Sequence, residues 1–120
     1  MQTTLVFSQD EFRSRLVRLQ AELAKKDLGG MLIHTPENIF YLTGYQSPGY
    51  YMYQCLVVPA SGNPVLVLRR GELSNVQTYS WLPGDLVRTY DDTNDPVALT
   101  ADTVREMGIA ASGLGLETGS

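Results

Sequence analysis

Histidine and cysteine each occur once in the 120 residues, as His34 and Cys55. A lone cysteine cannot close an internal disulfide. Cys55 sits in an apolar run with no basic neighbour to lower its pKa, so a buried, inert thiol is expected. A metal-activated water needs about three or four His, Cys, Asp or Glu side chains converging on one point. One His and one Cys, separated by a helix and a loop, fall short of that set, so no metal ion or other cofactor is expected in this chain. The single imidazole also leaves the serines without the base of a nucleophilic triad, and no nucleophile elbow surrounds any of them.

Positive charge is scarce as well. Nine Lys and Arg against thirteen Asp and Glu give a net charge of −4, and the basic residues are scattered. This excludes a nucleic-acid or anionic-membrane surface, which needs clustered cations. No apolar run approaches the roughly 18 residues of a membrane helix, and Met1-Gln2-Thr3-Thr4 lacks the blocks of a signal peptide. A cytoplasmic location follows as the expectation. Asp91, Asp92 and Asp95 lack the spacing and closing Glu of a calcium loop and read as a solvated turn with a helix cap. Gly113-x-Gly115 has no helix after it and is no dinucleotide fingerprint.

The rest of the chain reads as alternating helices and strands. A helix over 10–28 is predicted from Phe12, Leu16, Leu19 and Leu23 at helical spacing, with Ser8 and Glu11 in capping-box positions and Gly29-Gly30 as its left-handed stop. A short buried strand spans 31–34. The runs 53–59 and 64–69 flank the turn cluster Ala60-Ser61-Gly62-Asn63 and predict an antiparallel hairpin. A helix over 72–81 carries Leu73, Val76 and Tyr79 or Ser80 on one side and ends at Pro83-Gly84. A strand over 86–90 leads through the acidic loop to a helix from Pro96 to Gly108, with Val97, Ala101 and Val104 as its inner stripe, and a last strand covers 113–117. The fold class is therefore α/β, one domain over 1–120, a mixed sheet with one antiparallel hairpin covered by helices.

Between the first strand and the hairpin lies Thr35-Pro36-Glu37-Asn38-Ile39-Phe40-Tyr41-Leu42-Thr43-Gly44-Tyr45. Thr35 suits a helix cap, Pro36 the first helical position and Gly44 the stop, with Ile39, Phe40 and Leu42 offering an apolar side to the sheet. A strand followed by this segment resembles the N-terminal domain of the creatinase/prolidase family, the pita-bread metallohydrolases that include Xaa-Pro dipeptidases and aminopeptidases. The same order of elements extends the resemblance from Phe12 to the Leu114-Gly115-Leu116-Glu117 strand. It implies a ribonuclease-H-like fold that is not a nuclease, and a separate C-terminal catalytic domain absent from this chain. That domain would use two divalent ions, Mn, Zn or Co, to cleave a C–N bond in a peptide or small amide, with homodimerisation of the full-length parent. The stretch Tyr50 to Cys55 is similar to the ectoine-hydrolase-like and Xaa-Pro-peptidase-like branches. A stand-alone ligand-binding domain and a parent whose catalytic half lacks its ligands stay open beside these.

The loop Gln46 to Tyr53 is the best functional candidate. Tyr50, Tyr51, Met52 and Tyr53 after Pro48-Gly49 place large amphipathic side chains on a loop, as a docking surface requires. The competing reading has Tyr51 and Tyr53 alternating with Met52 into the hairpin strand, half of them facing the core. In creatinase-like relatives the corresponding loop reaches the other subunit's active site, which implies a substrate-holding role for Tyr50 and Met52. The loop has no Arg to pair with a substrate carboxylate, which disfavours creatine. His34 reads as a hydrogen-bonded structural histidine, with a substrate-pocket role as the alternative.

Overall fold

The computed structural model describes residues 8–46, 53–109 and 113–116. Tyr50, Tyr51 and Met52 lie outside the described residues. Five strands, β1 (Gly30–Ile33), β2 (Cys55–Pro59), β3 (Val65–Arg69), β4 (Val87–Tyr90) and β5 (Leu114–Leu116), form one sheet in the order β4-β3-β2-β1-β5. β2 runs antiparallel to both neighbours, whereas β1 with β5 and β3 with β4 are parallel. The expected hairpin is β2–β3, with Cys55 opposite Val67 and Val57 opposite Val65.

Both sheet faces are covered, so β2 reads as unbroken apolar sequence rather than alternation. Leu56 and Val58 pack with Phe12, Leu16 and Leu23 of α1 (Gln9–Lys25) and with Ile39 and Leu42 of α2 (Pro36–Thr43). Val76 of α3 (Leu73–Tyr79) joins this cluster. On the other face Cys55 and Val57 pack with Val104 of α4 (Pro96–Glu106) and with Ile109. Cys55 is fully buried.

Several expected boundaries move. Helix α1 ends at Lys25, and Asp27 rather than Gly29-Gly30 takes the left-handed position at φ +56°. The Leu28 N–H then returns to the Leu23 carbonyl at 2.9 Å and that of Asp27 to Ala24 at 3.2 Å, which satisfies the last carbonyls of the helix. Gly30 serves a different need: a Cβ there would lie 2.7 Å from Ile109 Cδ1 and 2.8 Å from the Val58 carbonyl. The expected 72–81 helix is split into a 3-10 turn over Arg70–Glu72 and the shorter α3. Ser80, the residue that follows α3, is buried, whereas Tyr79 is exposed.

The inner stripe of α4 also differs. Val97 is 61% exposed and Ala101 is exposed, while Thr100, Thr103 and Val104 are buried. The two threonine hydroxyls donate to the Pro96 and Leu99 carbonyls at 2.9 and 2.8 Å, so their polar atoms are satisfied within the helix and tolerate burial.

Candidate functional site

The segment Thr35 to Tyr45 builds a buried knot. Thr35 caps α2 by accepting the Asn38 N–H, and Gly44 ends it at φ +88°. The last four carbonyls of α2 are orphans in an isolated helix, yet each has a partner here. Phe40 accepts from the Gly44 N–H at 2.8 Å, Tyr41 from Arg15 Nη1 at 2.8 Å, Leu42 from Trp81 Nε1 at 2.8 Å and Thr43 from the Trp81 N–H at 3.1 Å. Thr43 Oγ1 donates to the Ile39 carbonyl and accepts the Tyr45 N–H. Tyr45 is fully buried with its hydroxyl donating to Glu72 Oε1 at 2.9 Å. Burial first, then the hydrogen bond and charge of Glu72, push its pKa well up. The most distinctive stretch of sequence is thus scaffold over most of its length.

Two of the functional candidates, His34 and Tyr53, lie at one end of the sheet. Because β1, β3, β4 and β5 all point one way and β2 the other, the carboxyl ends of four strands meet the amino end of β2. Open α/β sheets bind ligands at this end. His34 follows β1, Tyr53 precedes β2, and Tyr90 closes β4. The His34 and Tyr53 rings stand edge to face at 5.6 Å, and Tyr53 and Tyr90 at 6.3 Å. Tyr90 donates to the Tyr53 carbonyl at 2.6 Å. The Thr100 hydroxyl proton is already given to the Pro96 carbonyl, so in the 2.9 Å contact between Tyr53 Oη and Thr100 Oγ1 the phenol is the donor. Burial pushes the pKa of both Tyr53 and Tyr90 up, which keeps these phenols protonated around neutral pH. They can orient a neighbour or donate a proton in a hydrogen bond, but neither is an available base.

His34 is exposed at the mouth of a cleft of about 490 Å³ between α4 and the β1–β5 half of the sheet. Thr100 and Arg105 also line it, and neither stands out in the sequence, because a threonine in a polar-looking helix gives no sign that its neighbour will be Tyr53. A second cleft of about 340 Å³ lies between α1 and α2, with Arg15, Arg18, Glu22 and Tyr41 on its rim. The Arg15 guanidinium stacks 4.3 Å from the Tyr41 ring centroid. Among the described residues no three His, Cys, Asp or Glu side chains group closely enough to hold a metal ion. The described residues thus offer no donor set for a metal ion, and the two divalent ions belong, by the resemblance, to the separate catalytic domain. Among the same residues no helix is long and apolar enough to cross a membrane.

The family model for the creatinase/prolidase N-terminal domain matches residues 15–120. The chain belongs to this family. Ectoine hydrolase from Halomonas elongata is 29% identical over 92 residues, which cover 77% of this chain and 23% of the relative. Among solved structures, a dipeptidase from Mycobacterium ulcerans superposes with a TM-score of 0.71 at 31% identity over 82% of this chain and 27% of that one. The N-terminal domain of an Xaa-Pro dipeptidase from Lactobacillus brevis gives 0.69 at 26% identity over 79% and 69%. The chain spans about a quarter of the length of the ectoine hydrolase and of the Mycobacterium dipeptidase. The creatinase/prolidase N-terminal fold, expected from the Thr35 to Tyr45 segment, is the fold found.

Proposed function

We propose that this chain is the non-catalytic N-terminal domain of a metal-dependent hydrolase of the Xaa-Pro dipeptidase or aminopeptidase type. In this reading it contributes to dimerisation and substrate gating, while bond cleavage and two divalent ions belong to a C-terminal domain outside the sequence given. The observation that supports it most is extent: residues 15–120 match an N-terminal domain model, and 27% of the Mycobacterium dipeptidase accounts for the whole superposition. The Tyr50 to Tyr53 segment acts as the gate, and Tyr53 at its end is anchored through Thr100 and Tyr90. The substrate is apolar, proline-like or cyclic-imine-derived, and the full-length parent is a cytoplasmic homodimer.

The ectoine hydrolase match favours a second reading, in which the parent opens a C–N bond of a small ectoine-like molecule rather than a peptide. One experiment bears on both. Residues 1–120 and the full-length parent are each assayed with manganese, zinc and cobalt against Xaa-Pro dipeptides and ectoine, with calorimetry of metal binding. The expected result is turnover and two-ion binding by the parent alone; turnover by residues 1–120 free of contaminating peptidase overturns the proposal.

A further inference from the structure

We infer that the cleft between α4 and the β1–β5 half of the sheet binds a small amphipathic carboxylate, a molecule with an apolar or aromatic body and one carboxyl group. The inference stands apart from the gating role, because it involves only described residues of this chain and needs no catalytic half.

The cleft exists because α4 is held to one side of its sheet face. Arg88 on β4 reaches Glu106 at 2.8 Å and Thr103 at 3.5 Å, and the helix packs over β2 and β3. The β1–β5 half is left as a floor, with Leu32 and Leu114 on it and Val97 and Ala101 on the helix wall above. Val97 is 61% exposed, so this stripe of the helix lacks the cover that its apolar character calls for. A volume of about 490 Å³ falls within the ~300–1,000 Å³ of small-molecule sites, which are mostly apolar with a few placed polar groups.

The polar groups choose the ligand. At one end the Tyr53 hydroxyl is engaged with Thr100, and its ring stands edge to face with that of His34 at 5.6 Å. Arg105 stands at the other end. The chain carries a net charge of −4, yet none of the nine described side chains lining the cleft is Asp or Glu. Arg105 is paired with Asp102 outside the cleft, but both are at least half exposed. A pair that open to water is held weakly, and a ligand carboxylate can replace its acid partner. An apolar body between Val97, Ala101, Leu32 and Leu114 puts its apolar surface on the apolar lining and its carboxylate at Arg105.

The test is an NMR titration of the ¹⁵N-labelled 120-residue chain with 3-phenylpropionate and with its uncharged amide. The expected result is saturable binding of the acid, on the order of millimolar, with the amide about fivefold weaker. Shifts should gather at Leu32, Ala101, Arg105 and Leu114. Ala101→Trp, which fills the cleft, should abolish binding, and Arg105→Gln should remove the preference for the acid. If the tryptophan variant does not fold, Val97→Glu at an exposed position takes its place and should repel the acid. Absence of saturation, equal affinity for acid and amide, or binding unchanged in the cleft-filling variant overturns the inference. So does a concentration-dependent shift of the same residues without ligand, which would make a second copy of the chain the occupant.

Discussion

The indole Nε1 of Trp81 donates a 2.8 Å hydrogen bond to the carbonyl of Leu42. Together with the Trp81 N–H on Thr43, it fastens the segment after α3 to the last turn of α2 across 39 residues of chain. Trp81→Phe keeps a ring in place but leaves the Leu42 carbonyl buried without a donor, at a cost of about 2 kcal/mol. Urea unfolding of the chain measures it. A loss below about 0.5 kcal/mol would show that the carbonyl finds water instead.

Gly44 and Gly62 separate two reasons for glycine. Both have positive φ, +88° and +96°, but a Cβ at Gly44 would lie 2.7 Å from the Tyr79 carbonyl and 3.1 Å from Phe12 Cζ, whereas nothing lies within 4 Å at Gly62. Gly62→Ala should cost about 1 kcal/mol, the backbone strain alone. Gly44→Ala should cost about 3 kcal/mol or more, since backbone must shift as well. Equal losses in denaturant unfolding would refute the close approach.

High pH should unfold the domain through its tyrosines. The folded-state pKa of Tyr45 is raised above the ordinary phenol value of 10.0, and those of Tyr53 and Tyr90 are raised too. The unfolded chain then releases these protons first, so it binds fewer protons than the native state above pH 10 and stability falls as pH rises. Below that value the contribution is fully present. Tyr45→Phe should therefore flatten the decline in unfolding free energy between about pH 9 and about pH 11.5. A slope identical to that of the unsubstituted chain would mean that Tyr45 ionises with the fold intact.

Much of the fold is legible in the residues because local and long-range demands agree. Ser8 accepts the Glu11 N–H, Thr35 and Asp95 cap α2 and α4, and Gly44 and Gly108 take left-handed positions. Where they disagree, tertiary contact decides. Gly29-Gly30 looks like a helix stop, but Asp27 bends the chain and Gly30 is needed where Val58 and Ile109 press in. Val97 and Ala101 outrank Thr100 and Thr103 in hydrophobicity, yet the threonines turn inward because their hydroxyls bond back along the helix. The candidate site is harder to read. His34, Tyr53, Tyr90 and Thr100 are far apart in sequence and meet only through the strand order, which no local pattern specifies.

The gating role is tested most directly by Tyr50→Ala and Met52→Ala in the full-length parent, with steady-state kinetics beside thermal melts of residues 1–120. Side chains that hold substrate should raise KM or lower kcat/KM while the melting temperature stays put, because a loss of substrate contact is not a loss of core. A buried tyrosine would instead cost about 3 kcal/mol or more on truncation. Unchanged kinetics with a lowered melting temperature in both variants would contradict the gate and make the loop part of the scaffold.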